Sequence, residues 1–305
     1  MELQVNKIAQ LRGHIAPIYS LSEGFESNLI FSGGGDQILA SWNTETFEPN
    51  KFAIKLESGI YAICFIAEKN MVLIGNALGG IHVIDIKEKK ELKLLKPHQA
   101  QVFDIKYSSK NNGFYSCSHD GTIAFYKLDE LAHQKTIKLC QEKVRQLAIN
   151  KDETELAIAC GDGTVRIFDL NEFLEKPSFL AHDLSSNSIC YHPNGKYLLS
   201  GGRDAHLKIW ETNNYELIKA IPAHNFAIYQ IAFNTDNTIF ATASRDKTIK
   251  LWNADNFDLL NRIDFKNHKG HTHSVNALLW NKDNGNLISS GDDKTIIVWD
   301  IKRLN

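Results

Sequence analysis

Several signatures of particular protein classes are missing from this sequence. No run of residues approaches the roughly 18 apolar residues that a membrane helix needs, and the first residues, MELQVNKIAQLRGH, contain no signal-peptide apolar stretch. The five cysteines form no CxxC pair, and their odd number fits a reducing compartment better than a disulfide framework. They are Cys64, Cys117, Cys140, Cys160 and Cys190. We therefore expect a cytoplasmic protein, or also a nuclear one in a eukaryote, with no membrane partner and with cysteines that act as small buried side chains.

An excess of positive charge is also missing, and so are the common catalytic motifs. The net charge is -2 and the pI is about 6.6, so the chain has no basic field to attract a phosphate backbone, and we expect no nucleic acid partner. The sequence contains no P-loop, GxSxG or HExxH motif. His268, His271 and His273 have no cysteine or carboxylate at a zinc-ligand spacing. We expect no metal, no cofactor and no enzymatic activity.

What the chain does contain is a repeat. A marker position is occupied in turn by Trp42, Ile84, Tyr126, Phe168, Trp210, Trp252 and Trp299. Successive markers lie 42 residues apart, except the last two, which lie 47 apart. Six residues before the marker stands an aspartate, except Leu78 in the second repeat, and 28 residues before it stands a histidine, except Leu56 and Cys140. Because three positions keep one phase, one unit is repeated seven times along the chain.

Each repeat contains four short runs of β-type residues. In the clearest unit they are IYQIAF, TIFATAS, TIKLWN and DLLNRI, separated by the turn sequences NTDN, SRDK and NADN. This period, with a Gly-His-like start and a Trp-Asp-like end, resembles the WD-repeat family over essentially the entire chain. The resemblance implies an all-β fold, a seven-bladed β-propeller of four-stranded antiparallel blades, that forms a single domain over residues 1–305.

The last repeat is one strand short, because only six residues follow Trp299. The segment from about Leu3 to Leu11 occupies the phase of the missing strand. We therefore predict that this N-terminal strand joins the last blade and closes the propeller, which protects a sheet edge.

Four repeats carry a full set of His, Ser or Thr, Asp and Trp. The sets are His14, Ser32, Asp36 and Trp42; His182, Ser200, Asp204 and Trp210; His224, Thr242, Asp246 and Trp252; and His271, Ser289, Asp293 and Trp299. A Ser-His-Asp grouping suggests a hydrolase, but an active site needs one accessible nucleophile, whereas this grouping recurs at a fixed phase. The resemblance implies one buried hydrogen-bond chain in each blade, so we interpret the sets as structural tetrads.

Three repeats depart from the full set. The third has His98, Ser116, Asp120 and Tyr126. In the second, every member is apolar (Leu56, Ile74, Leu78 and Ile84), which we interpret as a self-consistent substitute, because replacing all partners together is nearly neutral. In the fourth, Cys140, Ile158 and Phe168 accompany Asp162, which we expect to cap the GDGT turn.

Two phases vary more than packing requires. Five residues after the loop histidine come Tyr19, Tyr61, Phe103, Arg145, Asn187, Tyr229 and Asn276, and the residues that precede the turn aspartate include His119, Arg203, Arg245 and Asp292. The resemblance places the first group at the start of the innermost strands, at the top rim of the central channel, and the second group on the same face. Tyr, Phe and Arg often anchor interfaces. We predict that these eleven residues bind a partner.

The sequence thus favours a non-enzymatic scaffold, a monomeric propeller within a larger complex. A peptide or protein partner would place an apolar anchor against Tyr19, Tyr61 and Phe103 and an acidic group against Arg203 or Arg245. Three alternatives stay open: the aromatic residues plug the channel mouth and bind nothing, an enzyme uses the channel, or the arginines belong to a reader of acidic or phosphorylated peptides.

Overall fold

In the computed structural model, the chain folds into seven sheets, each of four antiparallel strands. The structure describes residues 2–304. This architecture confirms the expected all-β class, a β-propeller with seven blades. A blade runs from its innermost first strand to its outer fourth strand, and consecutive strands along the chain are neighbours in the sheet.

The strands of the first three blades follow an N-terminal strand, β1 (Glu2–Arg12). The first blade contains β2 (Ile18–Glu23), β3 (Leu29–Gly34), β4 (Ile38–Asn43) and β5 (Pro49–Lys55). The second contains β6 (Ile60–Ile66), a 3-10 turn (Ala67–Lys69), β7 (Met71–Asn76), β8 (Ile81–Asp85) and β9 (Lys90–Leu95). The third contains β10 (Val102–Ser108), β11 (Gly113–Ser118), β12 (Thr122–Lys127) and β13 (Ala132–Lys138).

The remaining blades continue in the same order. The fourth contains β14 (Val144–Ile149), β15 (Glu155–Cys160), β16 (Thr164–Asp169) and β17 (Phe179–Leu180). The fifth contains β18 (Ser186–Tyr191), β19 (Tyr197–Gly202), β20 (His206–Glu211) and β21 (Leu217–Pro222), and the sixth β22 (Ile228–Phe233), β23 (Ile239–Ser244), β24 (Ile249–Asn253) and β25 (Leu259–Ile263). A short helix, α1 (Phe265–His268), precedes β26 (Val275–Trp280), β27 (Leu287–Gly291) and β28 (Thr295–Leu304) of the seventh.

The N-terminal strand completes the last blade, as predicted. β1 pairs antiparallel with β28 from Glu2 opposite Leu304 to Arg12 opposite Thr295, with a register shift between Lys7 and Ala9. The sheet order is β1-β28-β27-β26, so β1 is the outer strand. The edge of β28 is therefore covered by residues from the other end of the sequence.

An asparagine or aspartate after the marker shapes the turn between the third and fourth strands. In the first blade, Asn43 Oδ1 accepts hydrogen bonds from the backbone N–H groups of Glu45 and Thr46, both at 2.8 Å. Phe47 then takes a left-handed backbone with φ 62°, and its N–H donates to the Asn43 carbonyl at 3.0 Å. The side-chain cap and the left-handed residue recur at Asp169 with Phe173 and at Asn253 with Phe257. This side-chain cap fixes the hairpin in each of these blades.

The chain divides into two compact units. The first unit is Met1–Ile60 with Tyr229–Asn305 and holds the first, sixth and seventh blades; the second is Tyr61–Ile228 and holds the second to fifth blades. In the first unit, Leu251, Leu278 and Trp299 belong to one buried cluster. In the second unit, successive clusters are built around the stacked rings of Phe114 and Tyr126, and around Phe125. Each unit thus has its own apolar core.

The five extra residues of the last repeat include helix α1. The Asp264 carboxylate accepts a hydrogen bond from the Asn267 N–H at 2.8 Å and caps the helix. Lys7 of β1 donates through its Nζ to the Lys269 carbonyl at 2.8 Å, which holds the insertion against the closing strand. Over residues 2–304, no helix has both the length and the apolar content needed to cross a membrane.

Candidate partner-binding site

The residues of the tetrads form a continuous chain of hydrogen bonds in the last blade. His271 Nδ1 lies 2.9 Å from Asp293 Oδ2, and His271 Nε2 lies 2.8 Å from Ser289 Oγ. Trp299 Nε1 donates to the same hydroxyl oxygen at 2.9 Å. Because Ser289 Oγ accepts from Trp299, the Ser289 hydroxyl can donate its proton to His271 Nε2. His271 Nδ1 then donates to Asp293. Every polar atom along this buried path therefore has a partner.

The first and fifth blades repeat this arrangement. In the first blade, His14 lies 2.7 Å from both Asp36 and Ser32, and Trp42 donates to Ser32 at 2.8 Å. Gly13 gives the Trp42 ring its space, because a β-carbon there would lie 3.0 Å from Cη2 of the ring. In the fifth blade, the links are His182 to Asp204 at 3.0 Å, His182 to Ser200 at 2.9 Å and Trp210 to Ser200 at 2.9 Å.

The environment of the tetrad aspartate in the last blade favours its charged form. Burial acts to raise the pKa of Asp293, but hydrogen bonds from the His271 ring, the Thr272 N–H and the Thr295 hydroxyl outweigh it and lower the pKa to about 2. The Asp293 side chain is only 9% exposed. The carboxylate is therefore ionised at neutral pH and anchors the loop to the turn.

The sixth and third blades show variations. In the sixth, Trp252 donates to Thr242 Oγ1 at 3.0 Å, and Asp246 accepts from the Thr248 N–H and hydroxyl, while His224 is buried. In the third, a hydroxyl is inserted into the chain. His98 Nδ1 lies 2.6 Å from Thr122 Oγ1, and Thr122 in turn donates to Asp120 at 2.6 Å. Asp120 is thus 3.8 Å from the ring, and burial lowers the pKa of His98 to about 4.

The second blade replaces the tetrad differently from our expectation. Ile74 and Ile84 are buried, but Leu78 is 66% exposed, so the four residues do not form one apolar set. A different polar network stands nearby. Asn76 Nδ2 lies 3.1 Å from His82 Nε2, and His82 Nδ1 lies 2.7 Å from Glu91 Oε1. Asn76 Oδ1 also accepts from the N–H groups of residues 78 and 80, both at 2.9 Å, and so takes the capping role of the turn aspartate.

The fourth blade keeps the turn cap and brings two thiols together. Asp162 Oδ1 accepts from the Thr164 N–H at 3.0 Å and from its hydroxyl at 2.6 Å. Cys140, at the histidine phase, is half-buried and donates through Sγ to the Glu142 carbonyl at 3.0 Å. A hydrogen bond from the buried Cys160 thiol outweighs burial and lowers the pKa of Cys140 to about 7, whereas the pKa of Cys160 is raised. Cys140 is therefore the more acidic of the two thiols.

In the second unit, three of the predicted partner-binding residues contact a fourth, Phe103. Phe103 is at the centre: its ring lies 5.8 Å from the Tyr61 ring in an edge arrangement and 5.6 Å from the stacked His119 ring. The Arg145 guanidinium carbon lies 4.5 Å from the centre of the Phe103 ring. We call Tyr61, Phe103, His119 and Arg145 the rim patch. It combines aromatic area with a cation at adjacent blades.

Two further cations lie near Arg145 of the rim patch, Lys143 in the fourth blade and Arg203 in the fifth. Burial, followed by the charges of Arg145 and Arg203, lowers the pKa of Lys143. Arg203 is exposed, and Lys143 and Arg145 are half-buried. Cations that depress the pKa of a neighbouring lysine generate a local positive potential, which would attract an anionic group.

The other predicted partner-binding residues lie outside the rim patch. Asn187, in the second unit, is 4% exposed and accepts a hydrogen bond from Ser185 Oγ at 2.9 Å, so its side chain is not presented to a ligand. The first unit contains Tyr19, Tyr229, Asn276, Arg245 and Asp292. Asn276 Nδ2 donates to Asp292 Oδ1 at 2.8 Å and to the Ile18 carbonyl at 3.0 Å. Asn276 and Asp292 are thus engaged in holding the seventh blade to the first.

The sequence analysis missed residues that join neighbouring blades. They stand six residues after the loop-histidine phase, and each accepts a hydrogen bond from a backbone N–H of the next blade. The bonds are Leu147 to Asp104 at 3.0 Å, Ile189 to Gln146 at 2.9 Å and Leu278 to Gln230 at 2.8 Å. The sequence did contain a signal for these bonds, because three repeats have Asp or Gln, which can accept a hydrogen bond, at this same phase. Asp104 also lies 3.3 Å from Lys106 Nζ, and burial raises the pKa of this carboxyl despite that cation.

Comparison with known proteins gives a family match and a related protein. The model of the family described as "WD domain, G-beta repeat" matches five segments that together cover more than half of the chain, residues 89–127, 132–169, 175–211, 215–253 and 264–300. A curated protein of Drosophila willistoni, the "WD repeat-containing protein 55 homolog", is 27% identical over 100 residues, which are 32% of this chain and 19% of that protein. The match thus spans about a fifth of the length of this relative.

Proposed function

The chain belongs to the WD40 family, whose propellers are generally non-enzymatic and typically bind proteins or peptides, and from this premise we propose that it is a non-enzymatic scaffold whose rim patch binds a partner. The partner is a protein or peptide segment that carries an apolar side chain next to an acidic group. The propeller acts as one monomeric component of a larger complex. The odd cysteine count further supports a place in the reducing cytoplasm.

One observation carries this proposal, the contact of Arg145 with Phe103. The guanidinium at 4.5 Å from the ring centre orients a cation beside an aromatic surface. Tyr61 and His119 extend that surface on either side of Phe103. Tyr and Arg are enriched at the centres of interfaces, where aromatic area excludes water from the neighbouring charge.

The chemistry of the patch defines the partner. An apolar or aromatic side chain would pack against Phe103 and Tyr61, and a carboxylate would meet Arg145 and the nearby Lys143 and Arg203. A charge-assisted hydrogen bond from a guanidinium to a carboxylate is about twice as strong as a neutral one. An acidic peptide without the apolar anchor should therefore bind more weakly than one with both features.

The test is binding of an array of short peptides to the purified full chain at low and high salt. The array varies acidic residues and one apolar anchor independently. We expect the tightest binding for peptides that contain both, and we expect high salt to weaken it. The Arg145→Ala and Phe103→Ala variants should each bind the best peptides at least about tenfold more weakly.

Matched controls come from exposed residues of the same types elsewhere. Arg262→Ala removes an arginine that is 52% exposed beside Asp264, and Phe265→Ala removes a phenylalanine that is 58% exposed. Both should bind like the unaltered chain. Equal binding by all four variants, with folding intact, would show that the rim aromatics only fill space. Selection of acidic peptides regardless of the anchor would favour the reader of acidic or phosphorylated peptides.

A further inference from the structure

The fourth blade places three metal-ligating side chains at one point. The Sγ atoms of Cys140 and Cys160 and a carboxylate oxygen of Asp162 all lie within 4.8 Å of one another. Cys140 lies in the loop before β14, Cys160 ends β15, and Asp162 lies in the turn that follows β15. Two neighbouring strands of one sheet and their turn therefore bring the three donors together.

The structural tetrad does not account for this cluster. In the fourth blade the serine and tryptophan positions are occupied by Ile158 and Phe168, both buried and apolar. Neither can hydrogen-bond to a side chain at the histidine phase. In the fifth blade, the position equivalent to Cys160 is Gly202, where a β-carbon would lie 2.3 Å from the ring of His182. The two phases thus face each other within a blade, and in the fourth blade both carry a thiol.

From this geometry we propose that Cys140, Cys160 and Asp162 form a binding site for one thiophilic divalent cation of the Zn²⁺ class. Zinc bonds to thiolate sulfur at about 2.3 Å and to carboxylate oxygen at about 2.0–2.2 Å, so tetrahedral ligands stand roughly 3.5–3.8 Å apart. The three donors lie within 4.8 Å of one another, so a side-chain movement of about 1 Å is enough to reach that spacing. Water supplies the fourth ligand, an open coordination that three protein ligands leave available.

Arg166 lies next to the proposed ligand Asp162. Its Nη2 lies 3.6 Å from Asp162 Oδ2, and its buried Nε has no hydrogen-bond partner within residues 2–304. Two thiolates and a carboxylate around a divalent cation leave one net negative charge. The guanidinium lies next to this charge, although its Nη1 also contacts Glu175 Oε1 at 2.9 Å. An N–H donor next to metal-bound sulfur or oxygen orients the ligand and tunes its basicity. Arg166 is therefore a positioning residue of the proposed site.

The site is open to solvent on one side. Asp162 is exposed and Cys140 is half-buried, whereas Cys160 is fully buried. A cation can therefore reach Asp162 and Cys140 first and then engage Cys160. The bound ion would tie the loop before β14 to the turn after β15, the link that the His–Asp contact makes in the fifth blade.

The test is a titration of the reduced full chain with Cd²⁺, followed by ultraviolet thiolate-to-metal charge-transfer absorption, and then displacement with Zn²⁺. We expect one equivalent of Cd²⁺ to bind, Zn²⁺ to displace it, and Zn²⁺ to raise the Tm. Cys140→Ser and Cys160→Ser should each abolish the absorption. Arg166→Met should bind at least about tenfold more weakly.

Cys64→Ser and Cys190→Ser are the controls, because these half-buried cysteines belong to no such cluster among the described residues. Both should keep the full absorption, and circular dichroism establishes that each variant folds. Absence of stoichiometric binding by the reduced chain, or binding that survives both cysteine substitutions, would overturn the proposal. A reduced chain that binds no ion but forms a Cys140–Cys160 disulfide with peroxide, seen as a mass loss of two hydrogens, would also overturn it.

Discussion

The guanidinium of Arg145, on β14, lies against the ring of Phe103, on β10, so that one side chain from each of two neighbouring blades shares a single contact. The same two blades are joined by the hydrogen bond that the Leu147 backbone N–H donates to the Asp104 carboxylate. The contact of Arg145 with Phe103 lies close to this bond in the sequence and helps to hold the third and fourth blades together. It also fixes the orientation of the cation, which would lower the entropy lost on binding a partner of the proposed kind.

A double-mutant cycle should detect this contact in the free protein. Arg145→Ala, Phe103→Ala and the double variant should give a coupling free energy of about 0.5–1 kcal/mol, as expected for a partly exposed cation and ring. Urea unfolding gives the three values. The pair Arg262 and Phe103, which belong to different units, serves as the reference and should show additive effects. Additivity of Arg145 and Phe103 as well would contradict the contact.

Ser289 and Ser290 allow a matched comparison of two buried hydroxyls. Ser289 Oγ contacts His271 and Trp299, so Ser289→Ala leaves two buried polar atoms without a partner. We expect it to lower the free energy of unfolding by about 2–4 kcal/mol. Ser290 Oγ is equally buried but has no hydrogen-bond partner in the described part of the chain.

Ser290→Ala should therefore leave stability unchanged or raise it slightly, since it removes a buried polar atom that bonds to nothing. Chemical denaturation of both variants at neutral pH measures the difference. Equal losses of stability in the two variants would mean that the tetrad hydrogen bonds add nothing beyond packing.

Acid should weaken the last blade through Asp293. Its pKa of about 2 in the folded chain lies below the ordinary value of 3.8. A lowered pKa contributes stability above the ordinary value, and this contribution is lost as the pH falls from about 3.8 through about 2. The shift corresponds to about 2 kcal/mol.

Unfolding experiments between neutral and acid pH test this point. Asp293→Asn should be less stable at neutral pH and should lose less stability than the unaltered chain on acidification. Asp255→Asn, at an exposed turn position, should keep the full pH dependence. An unchanged acid profile in Asp293→Asn would show that other carboxylates carry it.

Cys140 should be the most reactive thiol of the metal-free protein at neutral pH. The Cys160 hydrogen bond lowers the pKa of Cys140 to about 7, while burial raises the pKa of Cys64 to about 12. The rate of alkylation, followed by mass spectrometry across pH in the presence of a chelator, should show a midpoint near 7 for Cys140. Cys160→Ser should move this midpoint upward, toward the ordinary thiol value, and Cys64 should stay unmodified. A midpoint unaffected by Cys160→Ser would contradict the effect of Cys160 on the pKa of Cys140.

The sequence alone sufficed to predict what recurs. The phases of Trp210, Trp252 and Trp299 predicted the seven blades, and the short tail after Trp299 predicted the pairing of β1 with β28. Repetition makes these predictions secure, because each repeat gives an independent copy of the pattern.

Local compensation could not be predicted in the same way. Asn76 and His82 occupy phases that hold other residue types in the other repeats, so their network has no counterpart to compare. Leu78 is exposed because Asn76 caps the turn that Leu78 occupies. Asn187 shares its phase with Tyr61 and Phe103, yet it is buried, since burial at a rim depends on neighbouring loops and not on phase.

The pairing of β1 with β28 has a consequence for synthesis on the ribosome. Residue 304, the partner of residue 2 in the sheet, is made about three hundred residues after it. Until then the hydrogen-bonding edge of β1 has no native neighbour, and an unpaired strand is prone to associate with other chains. The last blade can therefore be completed only after β28 has been made, through a contact between residues far apart in the sequence, which is slow to form.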